Sequence, residues 1–287
     1  MEWLKKLGAA IDYIEAHLDT EISYDEIARI ACCSPYYFQR IFSYVSGISL
    51  STYIRRRKMT QAAFELQRMD KKVIDIALKY GYTSPTAFNR AFQSVHGVTP
   101  TAAKTMKSIL QAYPPIHFSI KVTGESAMTY HIAEKPPLHI VGIRIPMVED
   151  VEENLNIVPD FWKNTLQKSQ FSELCNLSNH EIEGILGISV YKSPKEIYYY
   201  IGVTANISPP AGMYKYEIPA ATWVIFENDG YFRENVQSVF KRFYTEWLLF
   251  SGYQYAKLPD VEVYPMNNDQ SKCGHSEVWI ALEKEKR

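Results

Sequence analysis

Ser34-Pro35-Tyr36-Tyr37-Phe38-Gln39-Arg40-Ile41-Phe42 is answered 50 residues later by Ser84-Pro85-Thr86-Ala87-Phe88-Asn89-Arg90-Ala91-Phe92. Ser, Pro, Phe, Arg and Phe keep the same internal spacing. Val45-Ser46-Gly47 follows one copy and Val95-His96-Gly97 the other. Ile27-Ala28 and Ile76-Ala77 precede them at an offset of 49, so one extra residue sits in the second connection, near Gly81. A repeat of this kind is a small helical unit written twice. Ser before Pro is an N-cap followed by proline at the first helical position, where the missing N–H costs nothing. Phe38, Ile41 and Phe42, like Phe88, Ala91 and Phe92, give each helix one apolar stripe, and Gly47 and Gly97 stop the helices. Tyr36, Tyr37, Gln39 and Arg40 lie off the stripe in one copy, and Thr86, Ala87, Asn89 and Arg90 in the other. They are expected to face outward, where such side chains can hydrogen-bond base edges or phosphates. A helix, a tight turn and a capped second helix with that face describe a helix-turn-helix.

The surrounding text completes the unit. Leu4, Leu7, Ile11, Ile14 and Leu18 predict an opening amphipathic helix, and Asp25-Glu26 open a short second one. A long helix is expected from about Ser49 to Arg68, with Arg55-Arg56-Arg57-Lys58 in its middle. Its twenty residues reach about 30 Å, close to the ~34 Å between successive major-groove faces on one side of B-DNA. Two reading helices would then sit one DNA turn apart. The four basic residues are candidates for phosphate contacts, with some of them expected to pair with acids inside the domain.

Charge divides the chain in the same place. Residues 1–108 hold 15 Lys+Arg against 10 Asp+Glu, a net of +5; the rest hold 16 against 22, a net of −6. A basic first part beside an acidic second part fits a nucleic-acid-binding domain joined to something else. The 287 residues suffice for two domains, and 46% hydrophobic residues allow sizeable cores. Cys32, Cys33, Cys175 and Cys273 form no C-x-x-C, which speaks against zinc or a disulfide framework and for a reducing cytoplasm. No stretch is long and apolar enough for a signal peptide or a membrane span.

From about residue 3 to 107 the chain resembles the AraC/XylS-type DNA-binding domain. The matching text is Ile54-Arg55-Arg56-Arg57-Lys58-Met59, Ile76-Ala77, Gly81-Tyr82, Phe88, Arg90 and Phe92, and Gly97-Val98-Thr99-Pro100. In most such regulators this domain is C-terminal; here it comes first. The resemblance implies that Tyr36, Tyr37, Gln39, Arg40, Pro85, Thr86, Asn89 and Arg90 contact double-stranded DNA, and that RNA polymerase is recruited. The bulkier Tyr36, Tyr37 and Gln39 are expected to discriminate sequence more than Thr86, Ala87 and Asn89.

After Lys107 the composition changes. Residues 108–126, with Tyr113-Pro114-Pro115, read as a linker, and the text then becomes β-rich: 140–143, 185–190, 197–201, 222–226 and 277–280. Helices are expected at about 158–175 and 231–250. Strands and helices in this order predict a duplicated α+β module with an antiparallel sheet. The fold class is therefore multidomain: an all-α tandem helix-turn-helix domain (1–107), the linker, and an α+β domain (127–287). The second half resembles the GyrI-like effector-binding domain of multidrug-sensing regulators. Ile218-Pro219-Ala220, 222–226 with Glu227 and Gly230, Glu246-Trp247-Leu248, Ser251-Gly252-Tyr253, Val261-Glu262-Val263-Tyr264 and Glu277-Val278-Trp279-Ile280 carry that resemblance.

Residues after 108 hold 13 of the 21 tyrosines and four of the five tryptophans. On a strand, residues two apart share a face, so Tyr198 and Tyr200 point one way and Tyr199 the other. Glu277 shares a face with Trp279, and Tyr214 with Tyr216. An acid beside an indole suits a cationic, planar, apolar small molecule: ring faces attract the cation and the carboxylate neutralises it. In the resembling domains an acid at the position of Glu277 sits in the central pocket. The ligand candidates are Glu277, Trp279, Trp223, Tyr198, Tyr200 and Trp162, though single aromatics are more often core than contact. The seven histidines make no H-x-x-x-H or H-E-x-x-H, and no G-x-S-x-G, P-loop or G-x-G-x-x-G is present. No catalytic residue, metal or cofactor is expected. The reading is a cytoplasmic, ligand-responsive transcriptional activator; the alternative is a DNA-tethered domain that sequesters or hydrolyses a drug-like molecule.

Overall fold

A computed structural model of the protein describes residues 2–68, 71–104, 108–118, 127–148, 151–193, 195–256, 258–266 and 273–284. The chain divides into two compact units, Met1–Ile120 and Lys121–Arg287.

The first unit is helical: α1 Glu2–Ala16, α2 Tyr24–Ala31, α3 Pro35–Ser46, α4 Leu50–Arg68, α5 Val73–Lys79, α6 Pro85–His96 and α7 Pro100–Ala103. The repeated Ser-Pro text caps α3 and α6. Ser34 Oγ accepts from the Tyr37 amide and Ser84 Oγ from the Ala87 amide, each cap contributing about 1 kcal/mol. Gly47 (φ 75°) and Gly97 (φ 74°) end these helices in the left-handed region. In the turn before α3 Cys32 takes the left-handed place that Gly81 holds before α6, at φ 55° against 85°.

Each copy has its own core. Leu7, Ile11, Ile14, Ile27, Phe38, Phe42 and Tyr53 form the first; Met59, Leu66, Ile76, Tyr80, Phe88 and Phe92 form the second. α4 supplies residues to both, so it joins the copies as a shared wall. Within the basic run, Arg57 is buried and bound to Glu15 of α1 through Nε–Oε1 at 2.9 Å and Nη2–Oε2 at 2.6 Å. Tyr53 Oη also donates to Glu15, at 2.7 Å. Arg57 is thus the member of the run that has an acid partner among the described residues, while Lys58 Nζ donates to the Tyr80 carbonyl at 3.2 Å.

Residues 108–118 do not behave as a free tether. They lie along α4 and the two cores: Leu110 and Tyr113 pack on the second core, Ile116 and Phe118 on the first. The amides of Gln111, Tyr113 and Ile116 donate to His96 Nδ1, Thr60 Oγ1 and Tyr53 Oη, and Arg57 Nη1 donates to the Tyr113 carbonyl. Buried polar groups of the helices need partners, and this strap provides them. The rest of the expected linker, 119–126, lies outside the described residues.

The second unit is α+β. Its elements are β1 Tyr130–Lys135, β2 Leu138–Pro146, α8 Val151–Leu166, α9 Ser169–Asn176, β3 Ile185–Ser193, β4 Glu196–Thr204, β5 Tyr214–Ile218, β6 Ala221–Tyr231, α10 Phe232–Arg242, a π-helical turn Phe243–Trp247, α11 Leu248–Phe250, β7 Tyr253–Tyr255, β8 Asp260–Tyr264 and β9 Cys273–Lys284. The strands form one antiparallel sheet in the order β1-β6-β9-β8-β3-β4-β2-β5, with β7 pairing to β9. The helical stretch expected at 158–175 is two helices, α8 and α9. Among the described residues no helix is long and apolar enough to cross a membrane.

Candidate functional site

Strand register sorts the second unit's candidates onto two faces. Ile225 pairs with Trp279, Trp279 with Val261, Val261 with Ile188, and Ile188 with Tyr200, so these share one face. The adjacent row on that face runs Glu227, Glu277, Val263, Leu186, Gly202, Gly142 and Tyr214. Trp223, Tyr198 and Tyr216 belong to the same face by alternation.

Around Glu277 the chemistry is specific. Its Oε2 accepts from Trp279 Nε1 at 2.6 Å. The Trp279 ring lies 6.1 Å from that of Trp223 at 58°, and Lys135 Nζ stands 5.2 Å from the Trp279 centroid. Trp223 is fully buried and its Nε1 has no hydrogen-bond partner among the described residues. Glu227 is directly opposite Glu277 on β6, with its Oε1 3.3 Å from His131 Nδ1. Two carboxylates facing across a strand pair repel, and a cation between them relieves the repulsion. Glu227 was not among the sequence candidates. The alternation from Trp223 through Ile225 places it on this face, but only the register puts it opposite Glu277.

Tyr198 and Tyr200 are on this face too, nearer its other edge, where Arg144 of β2 lies 4.0 Å from the Tyr198 centroid. Trp162 is not with them. It stands on α8 and donates through Nε1 to Tyr199 Oη at 2.9 Å, on the opposite face. Tyr199 donates in turn to Glu262 Oε2, which also accepts from Tyr264. Tyr199 points away from Tyr200 by strand alternation, so a helix that bonds Tyr199 cannot bring Trp162 to Glu277. Trp162 therefore lies on the face opposite Glu277, in a hydrogen-bonded row with Tyr199 and Glu262.

In the first unit the two reading helices differ. On α6, Pro85, Thr86, Ala87 and Arg90 are exposed and Asn89 is half-buried, so this face is open as expected. On α3 the expectation of an outward face fails. Tyr36, Tyr37, Gln39 and Arg40 are only 3, 5, 4 and 7% exposed. Part of that cover is local. The Arg40 guanidinium lies 5.7 Å from the ring centroids of both Tyr36 and Tyr44 and donates to Tyr44 Oη at 3.2 Å, while Tyr36 and Tyr37 meet edge to face. Helix periodicity locates a polar stripe; it does not say whether long aromatic and guanidinium groups fold down upon one another.

The GyrI-like small molecule binding domain matches residues 128–283, more than half of the chain. The chain belongs to the GyrI-like family. Residues 27–106 match a helix-turn-helix domain, of the type found in AraC regulators. The Transposon Tn10 TetD protein of Escherichia coli is 42% identical over 89 residues, 31% of this chain and 64% of that protein. The HTH-type transcriptional activator AarP of Providencia stuartii is 39% identical over 89 residues, 31% of this chain and 66% of its own. The uncharacterized HTH-type transcriptional regulator YbfP of Bacillus subtilis is 37% identical over 105 residues, 37% of this chain and 36% of its own. The chain thus spans between 36% and 66% of these relatives' length. In this GyrI-like protein the Glu277 face belongs to the matched small-molecule domain, and α2–α3 with α5–α6 to the matched helix-turn-helix domain.

Proposed function

We propose that this protein is a sequence-specific DNA-binding transcriptional regulator whose second unit senses a small, apolar, cationic molecule. The observation that supports it most is the conjunction in one chain of a duplicated, Ser-Pro-capped helix-turn-helix and a sheet face carrying Glu277 opposite Glu227 beside Trp279. In this reading α6 presents Pro85, Thr86, Asn89 and Arg90 to DNA. The α3 residues Tyr36, Tyr37, Gln39 and Arg40 do so once the groups that cover them move away. Glu277 holds a ligand's charge while Trp279 and Trp223 offer ring surface. Tyr198 and Tyr200 extend that surface. The unit acts as a sensor and performs no hydrolysis. The activator named among the relatives supports activation; in this reading the protein works in the cytoplasm and recruits RNA polymerase.

The test uses the full chain. Selection against a random duplex library is expected to yield a preferred site, and affinity for it should fall steeply with salt as phosphate contacts release counterions. Absent or salt-independent binding rejects the DNA half. N-methylquinolinium and its neutral isostere 1-methylnaphthalene probe the other half. The cation should bind more tightly, with the preference lost in Glu277→Gln; equal binding of the two would reject it. Hydrolysis of ester or epoxide compounds, abolished by the same substitution, would replace the sensor by an enzyme.

A further inference from the structure

At the edge of the same sheet face stands a cluster of opposite sign. Arg144 is on β2, which lies between β4 and β5. β4 contributes Tyr198 and Tyr200, and β5 contributes Tyr214 and Tyr216. The Arg144 guanidinium sits 4.0 Å from the Tyr198 centroid and 4.1 Å from that of Tyr214, so rings cover both of its faces. One N–H, on Nη1, goes to Tyr200 Oη at 2.8 Å. A guanidinium has five N–H donors in a planar fork. Among the described residues Arg144 has no carboxylate partner, although it is half-buried. Glu196 begins β4 on this face and makes no ion pair with it among the described residues.

The surroundings add to the charge. Lys192 Nζ is 5.8 Å from the Tyr216 centroid. Gly142 and Gly202 are paired next to Arg144 and put no side chain on the face, so the rings of Tyr200 and Tyr216 meet at 5.3 Å. Burial pushes the Tyr216 hydroxyl up to about 12, so it stays neutral and offers a proton. The site is well apart from Glu277: β2 is four strands from β9, roughly 19 Å at the usual strand spacing.

We infer that Arg144 and its tyrosines form a second ligand site, selective for a planar aromatic anion. A carboxylate that accepts two N–H bonds from the open edge of a guanidinium lies in the guanidinium plane. That plane is set by Tyr198 and Tyr214. The guanidinium itself fills the space between the two rings, so an aromatic acid bound this way carries its ring outward in the same plane, past the rims of Tyr198 and Tyr214. Arg144 and Lys192 repel the cations that Glu277 and Glu227 favour, so one sheet face carries two sites of opposite charge selectivity. The inference is independent of any ligand at Glu277.

Naphthalene-2-carboxylate and its neutral isostere naphthalene-2-carboxamide test it by calorimetry on the full chain. The carboxylate should bind at least tenfold more tightly, since hydrogen bonds to a charged group are at stake. Arg144→Gln should remove that preference, and Arg144→Lys should keep only part of it, because a point charge lacks the fork. Tyr214 is 44% exposed, so Tyr214→Leu leaves the fold intact and should weaken the carboxylate severalfold, because the ring that holds the guanidinium plane is lost. Glu277→Gln should leave carboxylate binding unchanged. Equal affinity for acid and amide, undiminished binding in both Arg144→Gln and Tyr214→Leu, or no saturable binding of the acid overturns the proposal. If Arg144→Gln does not fold, the acid–amide comparison and Tyr214→Leu still decide.

Discussion

Arg40 and Arg90 hold the same place in two copies of one helix, yet they are in different physical states. Arg90 is exposed, and Arg40 is 7% exposed and stacked between Tyr36 and Tyr44. Arg90→Ala should therefore leave thermal stability within about 0.5 kcal/mol, as surface substitutions do. It should lower DNA affinity about tenfold, and if it meets a phosphate the salt slope should drop by about one. Arg40→Ala should in addition cost about 1–2 kcal/mol of stability, from the lost stacking and the lost bond to Tyr44. Equal melting curves for the two variants would contradict this assignment. Gly187 offers a second contrast. A Cβ there would stand 2.2 Å from Tyr199 Oη and 2.9 Å from Glu262 Oε2. That hydroxyl is held by both Trp162 and Glu262 and has no freedom to retreat. Gly187→Ala is expected to cost about 2–3 kcal/mol in a denaturant melt, while Gly212→Ala, with nothing within 4 Å of the new Cβ, should cost less despite its φ of 80°.

Among the elements, the strap of residues 108–118 changes what counts as the DNA-binding unit. A chain ending at 107 would leave Thr60, Tyr53, Arg57 and His96 short of partners and expose the surfaces that Leu110, Tyr113, Ile116 and Phe118 cover. Residues 1–118 should accordingly be more stable than residues 1–107 by about 3 kcal/mol or more, read as the difference between two denaturant melts. His96 gives the strap a pH dependence. Its Nε2 is 3.1 Å from the Met59 carbonyl, which only accepts, and its Nδ1 is 3.2 Å from the Gln111 amide, which only donates. The bonded form is thus neutral, with the proton on Nε2. Burial holds its pKa below the ordinary 6.5, against the smaller opposing pull of the Met59 carbonyl. The folded value lies below the unfolded one, so this contribution is complete above about pH 6.5 and is lost as pH falls through the folded value. Stability measured from pH 7.5 downward should decline below 6.5, and His96→Gln should lack that part of the decline. The change of composition after Lys107, with Tyr113-Pro114-Pro115, reads as a linker over 108–126. The strap has no secondary structure of its own, so its order comes entirely from side chains distant in sequence.

For the whole molecule, the proposed function gives the basic first part and the acidic second part different partners, and regulation then requires that the two binding events influence one another. If N-methylquinolinium changes DNA affinity by some factor, DNA must change N-methylquinolinium affinity by the same factor. A factor between about 5 and 150 is expected, the usual range of such coupling. Calorimetry of the cation with and without saturating operator measures it. A factor of one in both directions would leave the second unit without influence on DNA binding. The aromatic acid proposed for Arg144 can be carried through the same measurement.

What the chain determined by itself is what depends on neighbours a few residues away. Ser34-Pro35 and Ser84-Pro85 cap helices because a side-chain oxygen reaches an amide three residues on. Gly47 and Gly97 end them because only glycine enters the left-handed region without strain. Tyr198 with Tyr200, and Glu277 with Trp279, share a face because a strand alternates. What only the tertiary structure decided depends on partners brought from far along the chain. Strand pairing set Glu227 against Glu277 and Arg144 between Tyr198 and Tyr214. Helix packing sent Trp162 to Tyr199, 37 residues away. Close packing covered Tyr36 to Arg40 while leaving their counterparts on α6 open. Local conformational preference is written at short range, whereas burial and charge environment are properties of the packed chain, and it is these that choose which of the legible residues can meet a ligand.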